Sequence, residues 1–136
     1  MNLKVFGIFL VRVVLGVVFI AHGWDKISNM GGTIGFFSSL GLAPIFAYLV
    51  AWTEFLGGLM VLIGLYSRMA AYLLAVVMFF AIVLVKWGSG FLGGYEFDLL
   101  ILVSALMVAW SGAGPYSLSG KMCGCGSCGM CGMKLV

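Results

Sequence analysis

The sequence predicts an all-α membrane protein, a polytopic bundle of four transmembrane helices, and three observations carry that prediction. Of the 136 residues, 64% are hydrophobic and only 8% are charged, against roughly 45–50% and about 25% in soluble domains. The mean hydropathy is +1.24. Four apolar stretches reach or approach the ~20 residues that cross a bilayer core, and the joints "WDKISNMGG", "GLYSR" and "KWGSGFLGG" separate them. A soluble chain of this size must cover its core with polar surface. This one has too little polar material, so lipid has to be its solvent.

The first stretch runs from Leu3 to Gly23. Lys4 and the apolar run after it resemble a secretory signal, yet Arg12 interrupts the run and "FIAHGW" offers no small-x-small cleavage site. It reads as a retained helix. The following "TIGFFSSLGLAP" is too short and too polar to span, but Ile34, Phe36, Phe37, Leu40 and Leu42 suit a short helical piece lying in the interface. Pro44 fits the first turn of the second span, from Ala43 to Leu65. The third span runs from Met69 to Trp87 and the fourth, shortest one from Tyr95 to Gly112. Small residues recur at four-residue spacing, Ala47 with Ala51, Ala71 with Ala75 and Ala105 with Ala109, joined by Gly57 and Gly58. In lipid such positions let helix backbones approach closely. The bundle is expected over residues 1–118 and a Cys/Met/Gly-rich tail over 119–136.

Orientation follows from Lys and Arg in the short loops. With the N-terminus inside, the cytoplasmic side holds Lys4, Arg68, Lys121 and Lys134, and the outer side Lys26 and Lys86. The sequence therefore predicts a multi-pass protein of the plasma membrane with both termini in the cytoplasm. Trp24, Tyr48, Trp87 and Tyr95 then mark the outer border, and Tyr66, Tyr72, Trp110 and Tyr116 the inner one. No basic run exists, so no nucleic-acid footprint is present.

Charges inside the spans carry the functional signal, because each costs a few kcal/mol or more at the bilayer centre. Counted inward from the cytoplasmic side, Arg12 and Glu54 come to similar depths, which predicts an Arg12–Glu54 ion pair. The faces agree: Arg12, Gly16, Phe19, Gly23 and Lys26 share one side of the first helix, and Ala47, Ala51, Glu54, Gly58 and Val61 one side of the second. Such a pair serves either a ligand or proton site or only helix register. A second polar group collects at the outer ends: His22, Asp25, Lys26, Lys86, Glu96 and Asp98. Asp98 shares a face with Ala105 and Ala109 and should point inward; Glu96 should sit at the interface. His22 is the only histidine. Beside carboxylates it is either a proton relay or a wet interfacial residue.

All four cysteines, Cys123, Cys125, Cys128 and Cys131, lie in the tail with the spacing C-x-C-x2-C-x2-C, among Met122, Met130 and Met133. Soft thiolate and thioether ligands favour Cu(I), Zn(II) or an iron–sulfur cluster. The spacing is similar to part of a ferredoxin-type run, but the C-x-C start and the missing proline depart from it. The alternative is a tail whose thiols are acylated or form disulfides.

The series Arg12, Gly16, Phe19, His22, Gly23 and Lys26, then Pro44, Glu54, Gly57 and Gly58, Gly64 with Arg68, Gly94 with Glu96, and finally "GAGPYSL" resembles the DoxX family of small membrane proteins over roughly residues 5 to 118. Ser119 stands where the family usually has an acidic residue. The resemblance implies a four-helix membrane bundle and a link to oxidoreductases, since the related DoxD subunit belongs to thiosulfate:quinone oxidoreductase. It marks Arg12, His22, Lys26, Glu54 and Glu96 as candidate site residues.

Three functions follow as expectations. The first is the membrane subunit of a quinone- or thiol-linked redox system, an oxidoreductase component, with quinone as the candidate cofactor and electrons supplied through the tail or a partner protein. The second is a metal-handling membrane protein whose tail takes Cu(I) or Zn. The third is a non-catalytic scaffold that recruits redox proteins. The expected partners are the lipid bilayer and a redox protein, with a homo-oligomer left open.

Overall fold

The computed structural model describes residues 3–111. The cysteine tail, the "GAGPYSL" segment and Ser119 lie outside the described residues. Five α-helices follow in order: α1 (Leu3–Ser28), α2 (Met30–Ser39), α3 (Pro44–Ile63), α4 (Ser67–Ala81) and α5 (Glu96–Ser111). A π-helical turn extends α4 from Ile82 to Lys86, a 3-10 turn covers Trp87–Ser89, and a second π turn at Phe91–Tyr95 leads into α5. Among the described residues there is no strand. The chain is an all-α membrane bundle.

Three helical segments, Phe6–Ser28, Pro44–Ile63 and Ser67–Lys86, are long and apolar enough to cross a membrane. The fourth expected span is weaker: α5 has 16 residues, about 24 Å at about 1.5 Å each, short of a ~30 Å hydrocarbon core. The π turn Phe91–Tyr95 leads directly into α5. The expected short helical piece appears as α2, in which no residue is buried.

Pro44 opens α3 as expected, with Ala43 as its extended N-cap, and Gly64 closes it in the left-handed conformation at φ 80°. The side chain of Asn29 caps α2 by accepting from the Gly32 amide. Hydrophobic periodicity decides which face goes inward. On α1, Arg12, Leu15, Gly16, Phe19 and Gly23 are buried, while Leu10, Val14, Val17 and Trp24 are exposed. Such an apolar outer stripe would be intolerable in water and is what lipid selects.

The core is made of Leu15 and Phe19 from α1, Val61 from α3, Ala70, Ala71, Leu74, Ala75 and Met78 from α4, and Ile101, Ala105, Val108 and Ala109 from α5. All three expected alanine pairs are buried. Helices α1 and α3 pack backbone to backbone. A β-carbon on Gly23 would stand 2.5 Å from the Phe55 nitrogen, and one on Gly58 would stand 2.8 Å from the Ile20 nitrogen. These contacts fix the antiparallel register: Gly23 meets Phe55, and Gly16 meets Leu62.

That register corrects the expected Arg12–Glu54 pair. Continued one more turn, it puts Arg12 level with the α3–α4 connection near Tyr66. Arg12 is thus twelve residues from Glu54, about 18 Å at about 1.5 Å per residue. Counting inward from the apolar ends failed because α1 starts well before the contact does, so the two ends are not level. Glu54 pairs instead with Lys26.

Candidate functional site

The C-terminal end of α1, the N-terminal half of α3, α2, the α4 extension and the start of α5 enclose a cavity of about 740 Å³. Its walls are mostly apolar, with Phe36, Phe37, Phe46 and Phe80 among them. His22, Lys26, Asn29, Thr33, Glu54, Lys86 and Asp98 supply the polar lining. Four expected site residues, His22, Lys26, Glu54 and Asp98, therefore converge. Arg12 does not join them; it is buried toward the other end with its guanidinium 5.5 Å from the Phe9 ring centre. Glu96, half-buried one residue beyond the π turn, is not part of the lining.

Two lysine–carboxylate pairs face the cavity. The Lys26 ammonium donates to Glu54 Oε2. Because α1 and α3 run antiparallel, Lys26 leans back toward the level of His22 while Glu54 leans toward the start of α3, and the two side chains meet between them. Lys86 Nζ lies 2.7 Å from Asp98 Oδ2. This is a charge contact without hydrogen-bond alignment, since Oδ2 has no hydrogen-bond partner among the described residues. Both carboxylates are buried, Glu54 at 4% and Asp98 at 7% exposure. In an interior of low dielectric an uncompensated carboxylate would be costly, so each needs its cation. The paired charges sum to zero, and the cavity presents hydrogen-bonding groups without net charge. Each ammonium has three N–H donors, so pairing leaves capacity for a ligand.

His22 stands one turn before Lys26. Its Nδ1 is 2.8 Å from the Val18 carbonyl oxygen, and its ring stacks on Phe97 with centroids 6.3 Å apart and planes inclined by 28°. Thr33 ties α2 to α1 by donating its hydroxyl to the Lys26 carbonyl. Glu54, Asp98 and the exposed Asp25, with Glu96, make up every carboxylate side chain in the sequence, and all four lie at this end. No group of three or more His, Cys, Asp or Glu among the described residues could hold a metal. The tail cysteines lie outside that set.

The sequence reading placed Lys86 in the outer polar group without its pairing to Asp98, and it missed Asn29, Thr33 and the role of α2 as a wall. Aligning the Gly16/Gly23 stripe with Gly58, rather than helix ends, would have brought Glu54 to Lys26. The π turns left no sequence signal, yet they carry Lys86 and Asp98 into contact. A π turn holds more residues per turn than an α-helix and re-aims the side chains around it.

A family model described as DoxX matches residues 7–87. "Putative oxidoreductase CatD" of Bacillus subtilis is 38% identical over 120 residues, covering 85% of this chain and 90% of that one. "Uncharacterized membrane protein Rv3486" of Mycobacterium tuberculosis is 33% identical over 134 residues, covering 85% and 81%. "Inner membrane protein YqjF" of Escherichia coli is 30% identical over 117 residues, covering 82% and 88%. No solved structure gives a significant match. The family match spans α1 through α4 and the relatives cover most of the bundle, so the chain belongs to the DoxX family.

Proposed function

We propose that this protein is the membrane-embedded, carrier-binding component of a redox system, and that its cavity takes a quinone. The observation that carries the reading is the meeting of an apolar cavity with two ion pairs and a histidine at one end of the bundle. Ligand sites are concave, mostly apolar and fitted with a few convergent polar groups. The carbonyl oxygens of the ring would accept from the Lys26 and Lys86 ammonium groups, and an isoprenoid tail would lie along Phe36, Phe37, Phe46 and Phe80. A cavity with no net charge suits an uncharged, lipid-soluble carrier better than an inorganic anion. Electrons would come from a partner protein, since one histidine cannot supply a bis-histidine haem site. The name of the Bacillus relative agrees with a redox role. Purified protein in nanodiscs is expected to bind a short-chain benzoquinone and its quinol, and to couple them to turnover once the partner is present. Absence of binding in both redox states, with the partner added, removes the reading.

The spacing of Cys123, Cys125, Cys128 and Cys131 favours a second role, capture of Cu(I) or Zn(II) by a cytoplasmic tail. Replacing all four by Ser should abolish copurifying metal; unchanged metal content rejects it.

A further inference from the structure

We infer that His22, through Nε2, is the proton acceptor for a hydroxyl of the reduced, hydroquinone-type carrier; this rests on the reading of the cavity as a carrier site. The argument starts at the other ring nitrogen. Nδ1 lies 2.8 Å from the Val18 carbonyl oxygen, and a carbonyl oxygen can only accept, so Nδ1 carries the hydrogen. In the neutral ring Nε2 then keeps its lone pair. It sits on the ring edge turned away from the α1 backbone, and the stack on Phe97 holds the plane. His22 belongs to the cavity lining and stands in the last two turns of α1, next to the Lys26–Glu54 pair.

The neighbouring groups single out this one. Asp25 and Lys26 accompany it on α1, Glu54 faces from α3, Lys86 from the α4 extension and Asp98 from α5; Asp25 and Glu96 stand outside the cavity lining. Protonated lysines only donate. Protonating Glu54 or Asp98 would strip Lys26 or Lys86 of its counter-charge inside the bundle. Protonating His22 instead leaves both ion pairs intact. In the step, the hydroxyl O–H bond breaks with its electron pair left on oxygen, and an N–H bond forms at Nε2. No electron leaves the carrier in this step.

The test uses the full chain in nanodiscs, with decylubiquinol and decylubiquinone as probes. As the only histidine in the sequence, His22 gives one pair of ring-nitrogen resonances in a 15N-histidine spectrum. The expected neutral form has a protonated Nδ1 and a bare Nε2 whose resonance moves on adding the quinol. Quinol affinity should fall with decreasing pH, because a protonated ring has no lone pair left to accept the hydroxyl. Its limiting slope should be about tenfold per pH unit, the mark of one linked proton. His22→Gln should flatten that slope. A proton on Nε2 in the ligand-free neutral ring overturns the inference. So does quinol binding that is intact but independent of pH in the wild type, which leaves the carrier site standing. Failure of both probes to bind at any pH removes the site and the inference together.

Discussion

Lys26 on α1 holds Glu54 on α3, while Arg12 lies on the same stripe of α1 but near the opposite end of the contact. The Lys26–Glu54 pair therefore ties the two spans at the cavity end. Lys26→Met leaves Glu54 buried without its cation and should destabilise the bundle by about 1–3 kcal/mol. The double variant Lys26→Met with Glu54→Leu should recover most of that loss. A double-mutant cycle between Arg12 and Glu54 should give a coupling under about 0.5 kcal/mol, as expected for sites this far apart. Unfolding curves in detergent decide it; a coupling above 1 kcal/mol would restore the Arg12–Glu54 pairing.

The second pair should respond asymmetrically. The Lys86 side chain is 38% exposed and that of Asp98 only 9%. Without Asp98, the lysine can extend its ammonium to the interface, so Asp98→Asn should cost under about 1 kcal/mol. Without Lys86, the carboxylate stays trapped, and Lys86→Gln should cost more, about 1–3 kcal/mol. Equal losses in thermal unfolding would contradict the burial difference.

Gly23 tests the backbone contact that sets the register. Any β-carbon there meets Phe55 backbone atoms rather than a flexible side chain. Gly23→Ala should therefore cost about 1–3 kcal/mol through overpacking, whereas Gly31→Ala, with open space around it, should be near neutral. Melting temperatures of the two variants provide the comparison.

Helix α2 should open more readily than the spans it covers. It buries no residue and is pinned mainly by Asn29, Thr33 and the apolar cavity wall. Local opening free energy follows burial, so its amides should exchange with deuterium well before those of α3. Protection in α2 equal to that in α3 would mean that it is packed far more firmly than its exposure indicates.

The loop charges propose a cytoplasmic N-terminus and C-terminus. A C-terminal fluorescent-protein fusion should then be bright and a C-terminal phosphatase fusion inactive. The reverse outcome would put the cavity at the inner face of the membrane.

Much of the bundle was legible in the sequence because lipid imposes simple rules. The stripes through Gly16 and Glu54 and the alanine pairs all turned inward as periodicity required. So did Asp98, on the face shared with Ala105. The pairing of charges was not legible, since it depends on how far α1 slides along α3. That offset is set by Gly23 against Phe55, a contact that hydropathy does not register. The Lys86–Asp98 pairing was hidden for a related reason: the aim of Lys86 depends on a π turn, which helical periodicity at a constant angle per residue cannot anticipate.

The gathering of every acidic side chain at one end makes the molecule electrically lopsided along the membrane normal. Among the described residues the opposite end carries Arg12 and Arg68 and no carboxylate side chain, so the two leaflets meet unlike surfaces.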